Sequence, residues 1–485
     1  MRISRLALMS TQLLLPVSVI DIRSVINMPC YPQVLAQAAL DPSAMFQLSN
    51  DTEFAFVLEV ILALSNNGGG AATGEVLRAA SQIVPGDFES WYDEFLFLGD
   101  ALHAKAAAVN ATRFPVSARE AYFRASTYYR NAPFFLHANA SDPRINDLGA
   151  RAVADFDAAA ALLAPPAENV NLSASSPNVV SGGGNFTVPV RFFKSQADCA
   201  ETKDEGSRRP TVIVGTGYDG AQEDLYHSNG VEILARGWNV VTYEGPGQPT
   251  VLREQGLGFI PDWWRVVTPV VDYLRTRADV DPDRIALVGV SFGGSLAPLA
   301  AAHEHRLAAV LAVDGLADLH AAFARQFPAA LLDLYDAGRH AEFDQYLLAA
   351  MHNASSTPTS VRWILAQSLF TFATTSPADW WGRLPAYRVD AAVLGNITCP
   401  VFVGDGENDS SAPGQAAQMA AGAAQRGGRP GQQNQSTYNL FRTALGAGEH
   451  CQIGAEAQLA QVTLDWLADV WDHVPVPKNS TGGVY

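Results

Sequence analysis

Gly289-Val290-Ser291-Phe292-Gly293 sets a serine between two glycines in a G-x-S-x-G pattern. A serine hydroxyl is a weak nucleophile at its free pKa and needs a positioned base to take its proton. The bare pattern is common, and its context is what gives it meaning. The β-rich run RIALVGV leads into Ser291 and the helical stretch SLAPLAAAHEH leaves it, so the serine is predicted on a sharp strand-to-helix turn. Gly289 and Gly293 would there relieve crowding that a Cβ creates. Such a turn lifts the hydroxyl to the top of a sheet and aims the positive end of the next helix at a developing oxyanion.

The base is sought among ten histidines. GAGEHCQIGA places His450 in a glycine-flanked loop just before the last amphipathic helix, where this order of elements expects a base. A carboxylate must then fix the imidazole tautomer and stabilise the imidazolium. VFVGDGEND closes a strand and offers Asp405 and Asp409. Asp409 is preferred because it lies beyond the strand, in a loop that can reach His450; Asp405 is the main competitor and Asp314 a distant third. Oxyanion donors are expected from the backbone N–H of Phe292 and from the loop GTGYDG, residues 215–220, with Gly217 and Tyr218 as candidates. The turn Gly245-Pro246-Gly247-Gln248 at another strand end is read as turn geometry rather than as a direct catalytic element. The sequence carries no P-loop, no G-x-G-x-x-G after a first strand and no H-E-x-x-H, and the chemistry is expected to need no cofactor and no metal.

The elements that must position these residues follow from periodicity. PTVIVGTG, WNVVTYEGPGQ, RIALVGVSFGG, AAVLAVDG and CPVFVGDGEND read as short strands separated by helical stretches. One such helix is marked by Trp263, Val266, Val267, Val270, Val271 and Leu274. Apolar strands joined by helical crossovers imply an α/β fold, a mostly parallel sheet covered on both faces. Residues from about 40 to 165 are helix-like, with Trp91, Phe95, Leu98 and Leu102 on one stripe, and SAREAYFRASTYYRNAPFF should pack against it. Pro165 to Gly184 is rich in Pro, Ser, Asn and Gly and reads as a linker or loop. Residues 319–390 are helical and aromatic-rich without a strand, as expected of a lid. The expected organisation is thus a signal segment at 1–22, a helical cap at 23–184, core at 185–318 and 391–475 around the lid at 319–390, and a tail at 476–485.

Composition narrows the function classes. The chain has 485 residues, 48% of them hydrophobic and only 17% charged, which excludes a disordered or polyelectrolyte protein. Its net charge of −17 argues against nucleic acid or an anionic membrane as the main partner, since both need a basic footprint. The partner expected is a small-molecule substrate, with no nucleic acid and no stable membrane anchor; a homodimer stays open beside a monomer. Arg2 and Arg5 precede an apolar stretch from Leu6 to Ile20 that is too short to span a bilayer and reads as a secretory signal. N-x-S/T sequons occur at Asn50, Asn110, Asn139, Asn171, Asn185, Asn353, Asn396, Asn408, Asn434 and Asn479, ten of the twenty asparagines, a further sign of secretion or the secretory pathway. Cys30, Cys199, Cys399 and Cys451 lack metal-ligand spacing and allow one or two disulfides in any of three connectivities.

GTGYDGAQEDLY, YEGPGQ, IPDWWRVVTPVVDYLR, GVSFGGSLAPLAAAHEHR and GAGEHCQIGA together resemble the α/β-hydrolases typified by 2,6-dihydropseudooxynicotine hydrolase. They are also similar to fungal secondary-metabolite hydrolases such as the polyketide-shortening enzymes of pigment pathways. The resemblance runs from about residue 80 to 470 and implies that the aromatic helical segment forms a cap over the site. It puts Ser291, Asp409 and His450 on the family's nucleophile, acid and base, and DSSAPGQ resembles the D-x-x-x-x-G-Q-like stretch after the acid. It further implies cleavage of carbon–carbon bonds next to carbonyls, or related acyl transfers and ring closures. The apolar N-terminus and the sequons depart from those relatives. Residue spacing by itself points only to a serine-hydrolase site, so a secreted esterase, an acylaminoacyl-type peptidase and a non-catalytic binding module of the same fold stand as alternatives.

Overall fold

The computed structural model describes residues 47–179, 182–197, 208–426 and 436–473. The expected signal segment and tail, Cys30, Cys199, Asn434 and Asn479 lie outside them. Eight strands form one sheet in the order β1-β2-β4-β3-β5-β6-β7-β8. They are β1 (Glu168–Ser175), β2 (Asn185–Phe193), β3 (Arg209–Gly215), β4 (Asn239–Tyr243), β5 (Val280–Val290), β6 (Ala309–Val313), β7 (Val401–Gly406) and β8 (Ser436–Phe441). From β4 to β8 every pairing is parallel, while β1 and β2 add an antiparallel edge.

Chemistry of the strands explains this arrangement. Every residue of β4 and β6 is buried, as strands covered on both faces require. The edge strand β1 instead alternates exposed and half-buried positions. That strand corrects the sequence reading of Pro165 to Gly184 as a linker or loop for its first half: the polar residues of ENVNLSAS face solvent while Val170, Leu172 and Ala174 pack on the core. A half-buried edge strand has the composition of a loop and the periodicity of a strand.

Helices cover both faces. The helix Trp264–Thr276 buries Val266, Val267, Val270, Val271 and Leu274 against one face, and the helix Glu456–His473 buries Leu459, Leu464, Leu467 and Trp471 against the other. Before the sheet come α1 (Thr52–Ala63), α2 (Thr73–Ala80), α3 (Phe88–Ala108), α4 (Pro115–Asn131) and α5 (Pro143–Ala160). Asp51, Asp87 and Asp142 cap α1, α3 and α5 by accepting backbone N–H bonds of the first turn, each contributing about 1 kcal/mol. Trp91, Phe95, Leu98 and Leu102 of α3 are buried in a core separate from those of the sheet, beside Phe54, Tyr128 and Phe135.

Between β6 and β7 come six α-helices and no named strand; the first five, Leu319–Ala324, Ala329–Asp336, His340–His352, Thr359–Thr371 and Pro377–Arg383, make up the segment expected as a lid, and Ala391–Asn396 follows it. The helix Thr359–Thr371 joins lid to cap: Thr359 donates to Asp51, and Trp363 stacks on Phe134 with ring centroids 5.5 Å apart. Among the described residues no helix is long and apolar enough to cross a membrane.

Candidate active site

The carboxyl ends of β3, β5, β6 and β7 converge on one spot beneath cap and lid, the usual place for a ligand on an open parallel sheet. Ser291 stands at the end of β5 with φ +61°, a left-handed conformation unusual for a non-glycine residue, and its N–H donates to Val313 O at 2.9 Å. The flanking glycines are required. A Cβ on Gly289 would lie 1.9 Å from Gly293 O, and one on Gly293 would lie 2.6 Å from Thr216 O. The helix Gly293–Ala301 starts directly behind the serine.

His450 is buried, and its Nε2 lies 2.9 Å from Ser291 Oγ. On the other side of the ring, Nδ1 lies 3.0 Å from Asp409 Oδ1, off the line of the ring N–H, so the pair is close as ions but bent as a hydrogen bond. Asp409 Oδ1 also accepts from the N–H groups of Ser411 at 2.8 Å and Ala412 at 3.1 Å. Burial alone would raise the Asp409 carboxyl, but His450 and these donors outweigh it and hold its pKa below the usual carboxylate range. Burial would lower the His450 pKa, but the Cys451 sulfur and the Asp409 carboxylate hold it well above 6.5. Because burial also keeps the Cys451 thiol protonated, with a pKa of about 11, Asp409 is the charged partner that acts near neutrality.

The two competing acids fall elsewhere. Asp405 Oδ2 accepts from the Tyr438 hydroxyl at 2.7 Å, which turns it toward β8. Asp314, at the end of β6, accepts from Gly406 N at 2.7 Å, Cys451 N at 2.5 Å and Gln452 Nε2 at 2.8 Å. Asp314, Cys451 and Gln452 all have positive φ, between 48° and 59°. The Asp314 carboxylate therefore clamps a strained turn that carries His450. Asp314, His450 and Cys451 bring ligating atoms within 4.8 Å of one another, but Asp314 is already satisfied by three donors and His450 faces Ser291 and Asp409, so the group is not built as a metal centre.

At the end of β3, a Cβ on Gly217 would meet Ser291 Cβ at 2.8 Å and Phe292 N at 2.9 Å. The absence of that Cβ leaves a recess beside Ser291. Neither the Phe292 nor the Tyr218 N–H has a protein acceptor among the described residues, as donors reserved for an oxyanion would require. Sequence reasoning missed what holds this loop. Gln248 donates through Nε2 to Thr216 O at 2.9 Å and accepts Gly245 N–H at 2.8 Å, so the glycine turn braces the recess. Tyr218 is pinned to the lid, its hydroxyl donating to Ser368 Oγ at 2.7 Å and its carbonyl accepting from Gln367 Nε2 at 3.0 Å. Phe56 of α1 places its ring 6.4 Å from that of His450, which brings the first helices of the chain beside the site.

Residues 267–369 match the family model described as the prolyl oligopeptidase family. Over 365 residues the chain is 30% identical to the hydrolase acrC of Aspergillus aculeatus, covering 74% of this chain and 83% of that one. It is 27% identical over 339 residues to the 20-hydroxy-prefusarin hydrolase FUS2 of Gibberella moniliformis, 69% of this chain and 77% of the relative. Among solved structures, that of 2,6-dihydroxy-pseudo-oxynicotine hydrolase superposes with a TM-score of 0.59 over 86% of this chain and 98% of its own, at 22% identity, a likeness of fold. With a mostly parallel eight-stranded sheet and a hydrolase relative similar over most of both chains, the protein belongs to the α/β-hydrolase superfamily and is a hydrolase.

Proposed function

We propose that the protein is a serine hydrolase acting on a carbonyl of a small hydrophobic metabolite. Ser291 Oγ attacks the carbonyl carbon while His450 Nε2 takes its proton; Asp409 holds the ring and stabilises the imidazolium. The Phe292 and Tyr218 N–H groups receive the oxyanion in the recess at Gly217. His450 then protonates the leaving group, an alcohol for an ester or a carbanion equivalent for a carbon–carbon bond, and water releases the acyl group from Ser291. The observation that carries this reading is the 2.9 Å contact between Ser291 Oγ and His450 Nε2, with Asp409 3.0 Å from the opposite ring nitrogen.

Tyr218, Phe259, Phe292, Phe323 and Phe372 form a continuous buried aromatic group that backs the loop after β3 and the residue following Ser291. The relative named for 20-hydroxy-prefusarin supports a metabolite of fungal secondary metabolism. A fluorophosphonate probe is expected to label wild-type protein and to leave Ser291→Ala unlabelled. Labelling of the alanine variant, or none of the wild type, rejects the serine as nucleophile. Turnover of a 1,3-diketone above matched esters and amides would fix the bond class.

We further propose secretory-pathway glycosylation. All eight sequon asparagines that fall on described residues are exposed, from Asn50 to Asn408, whereas of the nine other described asparagines only four are. Exposure is what a glycan demands of its attachment site. A mass loss on enzymatic deglycosylation of protein from a eukaryotic host tests it; an unchanged mass rejects it.

A further inference from the structure

The loop GTGYDG after β3 has to hold the Tyr218 N–H on a fixed line, because an oxyanion donor is effective only when nothing must reorganise as charge develops. Its composition works against that. Gly215, Gly217 and Gly220 fall within six residues, and glycine leaves the backbone more freedom than any other residue. The bonds that fix the loop come from residues distant in sequence.

Ahead of Tyr218, Gln248 Nε2 lies 2.9 Å from Thr216 O and 3.5 Å from Gly217 O. Tyr218 itself is held at two points by one helix, Thr359–Thr371. Gln367 Nε2 donates to Tyr218 O at 3.0 Å, and the Tyr218 hydroxyl donates to Ser368 Oγ at 2.7 Å. Backbone and side chain of one residue are thus gripped by two consecutive residues, 149 and 150 positions further along the chain. Gln367 is 3% exposed and Ser368 fully buried, so water does not compete for either bond.

The Gln367 amide is itself oriented from behind. A carbonyl oxygen can only accept, so Nε2 faces Tyr218 and Oε1 is left for His137 Nδ1, 2.5 Å away. His137 then carries its proton on Nδ1, and burial keeps the ring neutral by lowering its pKa to about 4. A chain of hydrogen bonds therefore runs from His137, in the connection between α4 and α5, through Gln367 to the Tyr218 carbonyl. The same end of the helix is anchored twice more: Phe370 stacks on His137 with ring centroids 4.2 Å apart, and Thr371 O accepts from Phe259 N at 3.1 Å.

We propose that Gln367 and Ser368 are positioning residues for catalysis, through which the helix Thr359–Thr371 completes the oxyanion recess by fixing Tyr218. The proposal rests on the serine-hydrolase reading, with the Tyr218 N–H as an oxyanion donor. Since the fixed donor meets charge that exists only after attack, its effect belongs to the transition state and not to substrate binding.

The test pairs two ketones as inhibitors of 4-nitrophenyl butyrate turnover. With 1,1,1-trifluoro-2-octanone, Ser291 Oγ bonds to the carbonyl carbon, the carbonyl π pair becomes the oxyanion and the serine proton passes to His450 Nε2. Unactivated 2-octanone has the same chain and binds without forming that bond. In Ser368→Ala, Tyr218→Phe and Gln367→Leu we expect Ki for the trifluoro ketone to rise about tenfold or more and kcat/KM to fall in proportion, short of the roughly 10² to 10³ for outright loss of a donor. Ki for 2-octanone should stay within about threefold, and the acid limb of kcat/KM should not move. The double variant Tyr218→Phe with Ser368→Ala should lose no more than the larger of its singles, because both remove one hydrogen bond.

Ser368→Ala removes a single oxygen, so it and Tyr218→Phe decide the matter if Gln367→Leu does not fold. Equal losses for the two ketones would reduce the helix to a cover. Additive losses in the double variant would uncouple the two hydroxyls, and unchanged Ki values would leave Tyr218 fixed without the helix; each of these results overturns the proposal. Fluorophosphonate labelling of wild-type Ser291 is read in parallel. No labelling, or a wild type that binds both ketones alike, faults the hydrolase reading itself, whereas a labelled protein whose variants keep their affinity for the trifluoro ketone faults the positioning role alone.

Discussion

The neighbouring ends of β6 and β7 each deliver an aspartate to the loop that carries His450. From β7 comes Asp409, in a turn four residues past the buried Asp405, with one carboxylate oxygen 3.0 Å from His450 Nδ1 and its pKa held down. From β6 comes Asp314, a residue with φ +48° whose two oxygens are taken by Gly406, Cys451 and Gln452, and whose pKa burial raises to about 6. One carboxylate faces the imidazole as an ion; the other faces backbone and amide donors and holds the imidazole's loop in shape. Proximity to a histidine therefore does not identify the acid of a triad. The partner of the ring nitrogen does.

The largest test of that distinction is a pair of isosteric substitutions. Asp409→Asn removes the charge opposite Nδ1 and is expected to lower kcat by about 10³ to 10⁴, as loss of an orienting carboxylate does. Asp314→Asn turns one accepting oxygen into a donor that faces either Gly406 N–H or both Cys451 N–H and Gln452 Nε2, and its effect is expected through misplacement of His450, about 10² or less. Steady-state kinetics on an activated ester measure both. Equal losses would mean that Asp314 shares the acid's role.

Much of this division was legible in the sequence, and the reason it was not wholly so is instructive. Ser291 is marked by a strand end between two glycines, Asp409 by a loop just beyond a strand end, and His450 by a glycine-flanked loop before the last helix, patterns short enough to be read locally, and the structure brings the three side chains together. The strands β3 to β7 were legible for the same reason, as apolar runs. Asp314 ranked only as a distant third acid because its function depends on donors from residues 406, 451 and 452, which the fold alone brings to it. Gln248 and Phe56 are similar cases, since nothing near either residue in sequence points to Thr216 or His450. β1 was missed because its polar face resembles a loop.

A second, smaller separation lies in pH dependence. A histidine base must be neutral to accept the serine proton, so activity through His450 would rise with pH through its pKa, which burial lowers and the Asp409 carboxylate raises. Asp409→Asn removes the main stabilisation of the imidazolium near neutrality, and the acid limb of its residual kcat/KM should move to lower pH. Asp314→Asn should move that limb less, since Asp314 faces amide donors. A larger movement in Asp314→Asn would reverse the assignment.

Stability distinguishes the strand ends by a further step. Asp314 has a folded pKa of about 6 against an ordinary value of 3.8, so between those values the native state binds the proton that the unfolded chain has released. Its contribution to stability falls as pH rises from about 4 to about 6, by at most roughly 3 kcal/mol. Asp409, with its pKa lowered, has the opposite sign: its contribution falls as pH drops below the ordinary carboxylate value. Subtracting the Asp314→Asn stability curve from the wild-type curve should therefore give a decline with rising pH, and the same subtraction for Asp409→Asn a rise. Denaturant titrations from about pH 6 down through the ordinary carboxylate value of 3.8 and below it measure both, the upper part of the range reading Asp314 and the lower part Asp409, and slopes of the same sign would contradict the assigned environments.

The smallest expected effect belongs to Cys451, and it guards the whole comparison. Its thiol lies beside His450, so an orienting thiol rather than Asp409 is a coherent rival account of the imidazole's environment. Burial keeps that thiol protonated with a pKa of about 11, so near neutrality it brings no charge to the ring. The backbone N–H that ties Cys451 to Asp314 remains whatever the side chain, and a serine at φ +59° meets the same strain as the cysteine. Cys451→Ser should then keep kcat/KM within about threefold, a difference of less than about 1 kcal/mol, with the acid limb unmoved. A loss approaching that of Asp409→Asn, accompanied by a downward shift of the limb, would transfer the orienting role to the sulfur and leave Asp409 as a loop anchor like Asp314.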